Sequence, residues 1–257
     1  MMNWLTAWVN RQRYKRIVGV APQPKDVKDY KYTPVIKNAL EAVDMRHNSP
    51  YVKDQKTTNS CSAFAMTSLF EHEIMEKINI KRKFSPLFTW YNARVLEGKE
   101  KYNEGVYLRN MFKAVLNKGL VYEKTMPFKR NYLRKPPSYA WSIGLMFKKL
   151  IINHKCKYSK VKKSDINKCL SEKNPILFGM RVNNSFYYNK NGFIQSIEPP
   201  TGGGHAMALF GYFKIDTKTY YIVKNSWGAR GDRGYLYIEE TYLKKHGFDY
   251  WTISLED

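Results

Sequence analysis

Four residues of this 257-residue chain carry the side chains that acyl transfer through a thiol requires, and they occur in a fixed order. Gln55 and Cys61 stand six positions apart in DQKTTNSCSAFA, His205 sits in GGGHAMAL and Asn225 in VKNSWG. A cysteine sulfur attacks a carbonyl carbon, a histidine carries protons, an asparagine amide orients the imidazole, and a glutamine amide stabilises the oxyanion. Singly, each has a plainer reading. A loop glutamine is usually solvated, a cysteine at a helix start is usually a small buried residue, and a histidine opening a strand is usually a satisfied core residue. The set, in sequence, is what points to chemistry.

Two kinds of element must position these groups. From Cys61 to about Lys77, SAFAMTSLFEHEIMEK has neither Gly nor Pro and repeats apolar residues every three or four positions, which predicts a helix with a buried face. Ser60 or Asn59 is its expected N-cap. Cys61 then lies in the first turn, where free N–H groups favour a thiolate and a cysteine pKa can fall from ~8.5 to ~3.5–7.5. Ser85-Pro86 predicts a second helix start, and a third helix is expected from about Val106 to Leu116, ending near Gly119. After KPPSY the pattern changes to KYSKV, PILFGMRV, GHAMALFGYFK, TYYIVKNSW and GYLYIEE. These short runs between turn residues read as antiparallel strands, with SDINKCLSEK a short helix capped by Ser164. His205 opens one strand after Gly202 to Gly204, which let backbone and substrate approach closely. Asn225 ends another, and Trp227 is placed to cover the His–Asn hydrogen bond. Helices first and sheet second make an α+β chain whose halves can enclose a cleft.

His205 follows Cys61 by 144 residues and Asn225 by 164, and with those spacings the chain resembles the papain family of cysteine peptidases. The likeness covers most of residues 41–257. It is carried by AVDMR, SPYVKDQ, NSCSAFA, FSPLFTWYNAR, NEGVYLR, PILFGMRV, GGHAMALFGY, FDYW and above all YIVKNSWGARGDRGYLYI. The type is cathepsin-like, most similar in layout to short bacterial and viral members. The resemblance implies a helical left lobe at about 55–125, a right lobe of antiparallel sheet or barrel at about 126–257, and the cleft between them. It implies a thiol endopeptidase with Cys61 as nucleophile, His205 as proton shuttle, Asn225 as orienter and Gln55 as oxyanion donor. By the same match Gly105 lies along the substrate backbone, with Val106, Tyr107, Ala206 and Trp227 around a substrate whose side chain before the cut is apolar. The family's Cys-Gly-Ser-Cys-Trp reads Thr58-Asn59-Ser60-Cys61-Ser62 here, so a disulfide partner and a site tryptophan are both replaced. Residues 1–40 form a lead segment too short for the family's long inhibitory pro-segment, and are expected to serve as a short pro-segment or strap.

Composition bounds the rest. Three cysteines, Cys61, Cys156 and Cys169, make neither a disulfide framework nor a CxxC zinc site. HEIME, beginning at His72, has Glu76 where a zinc-peptidase helix needs its second histidine. No metal and no cofactor is expected, since no GxGxxG or GxxxxGK[ST] loop occurs. A reducing compartment or a viral particle suits the thiols. No apolar run approaches the ~20 residues of a membrane span, and MMNWLTAWVNRQRYKR does not read as a signal peptide, because its basic residues follow the apolar stretch. The net charge is +22, and residues 124–168 hold 13 Lys/Arg against the single acid Asp165. Such a field attracts polyanions such as nucleic acid, anionic membrane or acidic protein, unless it is merely a solvated surface; no nucleic-acid recognition motif accompanies it. Two function classes follow: a peptidase acting on peptide or protein substrates, and a non-catalytic papain-like protein that uses the basic surface. Acyl transfer to an amine would use the same residues as hydrolysis.

Overall fold

A computed structural model of the chain describes residues 19–49, 52–79, 81–129, 131–183, 186, 191–195 and 203–255. The region read as a non-signal N-terminus, and Gly202, lie outside them.

The central element is α1 (Cys61–Ile78), which starts at the cysteine as its pattern predicts. It is buried along most of its length, with Ala63, Met66, Leu69 and Phe70 all sealed from solvent. A helix running through a core is apolar on several faces. Ser60 holds the N-cap position, but its hydroxyl does not cap the helix. It lies 2.6 Å from the Thr58 hydroxyl instead, which corrects the capping expectation. Asn79 ends α1 in the left-handed conformation (φ 51°).

Helix α2 (Pro86–Leu96) begins as predicted, with Ser85 Oγ accepting from Phe88 N at 3.2 Å. Helix α3 (Leu108–Lys118) starts two residues later than expected and stops at Gly119, whose φ is +71°. A longer helix, α4 (Ser138–Asn153), has no counterpart in the sequence expectations. It lies against α2 and α3 through Gly144, where a β-carbon would fall 2.4 Å from Lys118 O, and through Trp141, edge-on to Phe88.

The remaining elements are β1 (Val43–Asp44), β2 (Lys157–Lys160), α5 (Ile166–Ser171), β3 (Ile176–Arg181), β4 (Phe193–Ile194), β5 (Gly204–Ile215), β6 (Lys218–Lys224), β7 (Tyr235–Glu239), α6 (Glu240–His246) and β8 (Gly247–Ser254). The strands form one sheet in the order β2-β8-β3-β5-β6-β7-β4, with β1 added to β5. The pairs are antiparallel except β4 with β7, which are parallel. The sheet is open, with β2 and β4 at its two ends, so the right-hand half is an open sheet and not a barrel. Ser164 does not cap α5: it lies inside a 3-10 turn, Lys163–Asp165, and the N-cap is Asp165 without a side-chain bond. Helix α1 packs against β5, so the start of α1 and the start of β5 face the same space.

Residues 19–40 run as a strap over this body. Gly19 N and Val20 N both donate to Gly204 O at 3.2 Å. Gln23 N donates to Asp249 Oδ2 at 2.7 Å, and Arg109 N to Gln23 Oε1 at 2.9 Å. Asp29 takes Arg109 in two bonds of 2.6 Å. Tyr30 to Tyr32 lie extended along Lys160. Glu172 accepts from Val35 N, Ile36 N and the Tyr32 hydroxyl.

Candidate active site

Cys61 is the first residue of α1. The main-chain N–H groups of Ala206, Ser62 and Cys61 itself face its sulfur, and each favours the thiolate. Burial outweighs them: Cys61 is 1% exposed, and its thiol is pushed up to about 11. The lowered pKa expected at a helix start is therefore absent from this form. Val20 of the strap, itself 4% exposed, lies over Gly204, next to His205. With water kept out, desolvation of the charged form outweighs the helix field.

His205, the second residue of β5, is fully buried. Its Nε2 donates to Asn225 Oδ1 at 2.8 Å, which leaves Nδ1 as the basic nitrogen. Nδ1 is buried and has no hydrogen-bond partner among the described residues. Burial drives the imidazole down to about 4, against the opposing pull of Asn225. Asn225 follows the last residue of β6, and its N–H donates to Gly234 O at 3.1 Å. Its Oδ1 also accepts from Ser226 N at 2.8 Å, so the amide cannot turn without losing two bonds. Trp227 stacks on His205 with centroids 4.6 Å apart and 26° between planes. Phe186 meets both rings edge-on.

Gln55 is buried in the loop before α1. Its Oε1 accepts from Ser226 Oγ at 2.5 Å, and its Nε2 donates to Thr58 O at 2.7 Å. An amide nitrogen has two hydrogens, so one remains for a ligand. Gln55 N also donates to Ser226 O at 2.8 Å, tying the glutamine loop to the segment that carries Asn225.

Gly105 lies where a substrate backbone was expected, and the strap occupies that place: a β-carbon on Gly105 would fall 1.2 Å from Gly19 O. On the other side, a β-carbon on Gly204 would fall 1.8 Å from Val20 O. Only glycine allows the chain to pass between them. Val106 is buried, and with Tyr107, Gly105 and Asn59 it borders a cavity of about 320 Å³ alongside the strap. Ala206 sits at the Cys61 sulfur and Trp227 on the imidazole; neither lines that cavity. Ser226 and Phe186 were not singled out from sequence. Ser226 had a signal, its place between Asn225 and Trp227; Phe186, in NNSFYYN, had none.

His72 bonds Lys173 O through Nε2 at 3.3 Å, a packing role. Among the described residues no group of His, Cys, Asp and Glu is arranged to hold a metal ion, and no helix is long and apolar enough to cross a membrane.

The fold is α+β with an open sheet, and it carries the cysteine on a helix and the histidine on a strand. Residues 39–251 match the family described as "Papain family cysteine protease", and the chain belongs to that family. It is a cysteine endopeptidase by that membership, papain- and cathepsin-like. It is similar to an uncharacterized peptidase C1-like protein of Acanthamoeba polyphaga mimivirus, 28% identical over 269 residues, covering 93% of this chain and 83% of that one. Among solved structures it is similar to xylellain, a cysteine protease from Xylella fastidiosa, with a TM-score of 0.81 and 27% identity over 95% of this chain and 97% of that one. A stem bromelain precursor shares the fold, at a TM-score of 0.76 and 23% identity over the whole of this chain and 83% of that one.

Proposed function

We propose that the chain hydrolyses peptide bonds through Cys61, His205 and Asn225, with Gln55 as oxyanion donor. The observation that carries this is the His205 ring: Nε2 is committed to Asn225 at 2.8 Å, while buried Nδ1 is left free to take a proton. The Cys61 thiol gives its proton to Nδ1, and the thiolate attacks the peptide carbonyl carbon. The carbonyl oxygen becomes an anion, held by the spare Gln55 N–H and by Cys61 N–H. Nδ1–H then protonates the departing amine as the C–N bond breaks, leaving a thioester. Water, deprotonated by the same nitrogen, attacks the thioester; the acid product leaves and the thiol is restored. Family membership and four intact groups favour this over the non-catalytic alternative. Cys61→Ala should abolish cleavage of a peptide library and labelling by a thiol-reactive epoxide. Cleavage at the parent rate by that variant sinks the assignment.

The strap belongs to the same reading. Gly19 and Val20 take the acceptor Gly204 O and cover Gly105, the places a substrate backbone would use. Residues 19–40 thus act as a short built-in inhibitor, and the enzyme works when they lift. The basic segment 124–168 is the proposed contact for a polyanionic partner, supported by its charge of +12. The same sign continues across a cavity of about 580 Å³ bordered by Lys81, Arg82, Lys83 and Lys124.

A further inference from the structure

Helix α4 turns its small residues inward. Ala140, Gly144 and Ile151 are buried against the helices beneath. Its outward face carries five large apolar side chains: Tyr139 is 57% exposed, Leu145 51%, Met146 71%, Leu150 41% and Ile152 55%. At 3.6 residues per turn Tyr139, Met146 and Leu150 form one row and Leu145 and Ile152 a second, with exposed Ser142 and Lys149 between the two. A helix on a solvated surface carries mostly charged and polar residues there. Large apolar side chains exposed together on one helix mark a contact surface. The helix has no acidic residue, and lysines surround the apolar rows: Lys148 and Lys149 within it, Lys135 before it, Lys155 and Lys157 after it.

We propose that α4 docks the protein on an anionic lipid bilayer, lying in the plane of the surface. Nucleic acid would engage the lysines and leave Leu145, Met146 and Ile152 in water. A second copy would cover the apolar rows, but only by bringing two segments of +12 together. An anionic bilayer satisfies both features at once: the apolar rows enter the headgroup–acyl boundary and the lysines meet the lipid phosphates and carboxylates. The residues identified at the catalytic cleft lie outside α4, so docking leaves the chemistry untouched and does not depend on it.

The test is sedimentation of the full-length chain with vesicles of phosphatidylcholine alone or with roughly 30 mol% phosphatidylserine. Binding is expected on the anionic vesicles only, and weaker at physiological than at low salt. Met146→Glu with Leu150→Glu should weaken it by more than about tenfold; Lys148→Gln or Lys149→Gln should weaken it about fivefold each. Met146, Lys149 and Leu150 are exposed and Lys148 is half-buried, and none belongs to the buried set, so melting temperatures should match the parent, and Ile152→Ser supplies an independent apolar variant. Cys61→Ala should bind as the parent does. No binding to the anionic vesicles, or binding indifferent to both apolar variants, overturns the proposal. So does a concentration-dependent dimer that Met146→Glu with Leu150→Glu dissolves, or retention on duplex DNA by a chain that ignores vesicles.

Discussion

Asn225 Oδ1 accepts from His205 Nε2 at 2.8 Å; both groups are buried, and the ring of Trp227 stacks on the imidazole. That bond fixes which ring nitrogen is basic, and removing it frees the imidazole to rotate and change tautomer. Asn225→Ala should therefore lower kcat by roughly tenfold to a hundredfold, with KM little changed. The loss should be smaller than in Cys61→Ala, because the thiol and the base both remain. Steady-state kinetics in a folded variant checks this; a loss as complete as that of Cys61→Ala would show that Asn225 has been given the wrong role.

The Gln55 amide is held by Ser226 Oγ at 2.5 Å and Thr58 O at 2.7 Å. Gln55→Ala should cost about 10²–10³ in kcat, the usual loss for one oxyanion donor. Ser226→Ala keeps the donor but frees its orientation, and should cost less, about tenfold. Equal losses from both would mean that the serine acts on the reaction directly.

The places of the candidate residues in the fold were legible in the sequence because they sit in short, self-contained segments. Cys61 opens an apolar stretch free of Gly and Pro, and Asn225 directly follows a strand rich in Tyr, Ile and Val, so local pattern alone placed each at an element's end. Helix α4 was invisible for the opposite reason. SYAWSIGLMFKKLIIN follows two prolines, has Gly144 in its middle and exposes five large apolar residues, so neither its flanks nor its apolar spacing marks one buried face. Burial of the thiol was likewise out of reach. The field of a helix start is local, whereas the burial that overrides it comes from the tertiary fold, which sets β5 and its Ala206 N–H against the sulfur. Strands β1 and β4, two residues each, are defined only by their partners β5 and β7.

With the strap seated, Cys61 ionises near 11 and His205 near 4, so at neutral pH both are uncharged. Alkylation of Cys61 by iodoacetamide should be slow at pH 7 and rise only as pH approaches 11. Val20→Asp puts a charge into the seat against Gly204, and should raise labelling at pH 7 by about tenfold or more. Mass spectrometry of the Cys61 peptide reads both; labelling that ignores Val20→Asp would show that the strap does not govern access.

His205 also links stability to acid. Its folded pKa lies below the ordinary 6.5, at about 4, so the unfolded chain binds the proton first as pH falls. Stability from this group is complete above 6.5 and is lost progressively as pH drops from 6.5 towards 4. For a group this buried the loss is on the order of 3 kcal/mol. The melting temperature of Cys61→Ala should fall over that window, and the fall should shrink when His205→Gln is added. An identical acid profile in the two proteins would mean that His205 is not desolvated as described.

Midway along the strap Asp29 meets Arg109 of the enzyme body, in two bonds of 2.6 Å between side chains only 8% and 12% exposed. Removing one partner of such a pair leaves the other charge poorly solvated, a larger penalty than losing an exposed ion pair. Asp29→Ala leaves the Arg109 guanidinium only Pro24 O on the strap and loosens this part of it, so basal peptide turnover should rise severalfold. Arg109→Ala also removes the bond from its Nη2 to Pro24 O at 3.0 Å, so it should raise turnover at least as far, and the double variant should rise no further than Arg109→Ala alone. Arg109 also gives its main-chain N–H to Gln23, a bond that survives substitution, so the strap should loosen without leaving. Additive increases in the double variant would show that the two residues hold the strap independently; unchanged turnover in all three would show that this part of the strap does not restrain the enzyme.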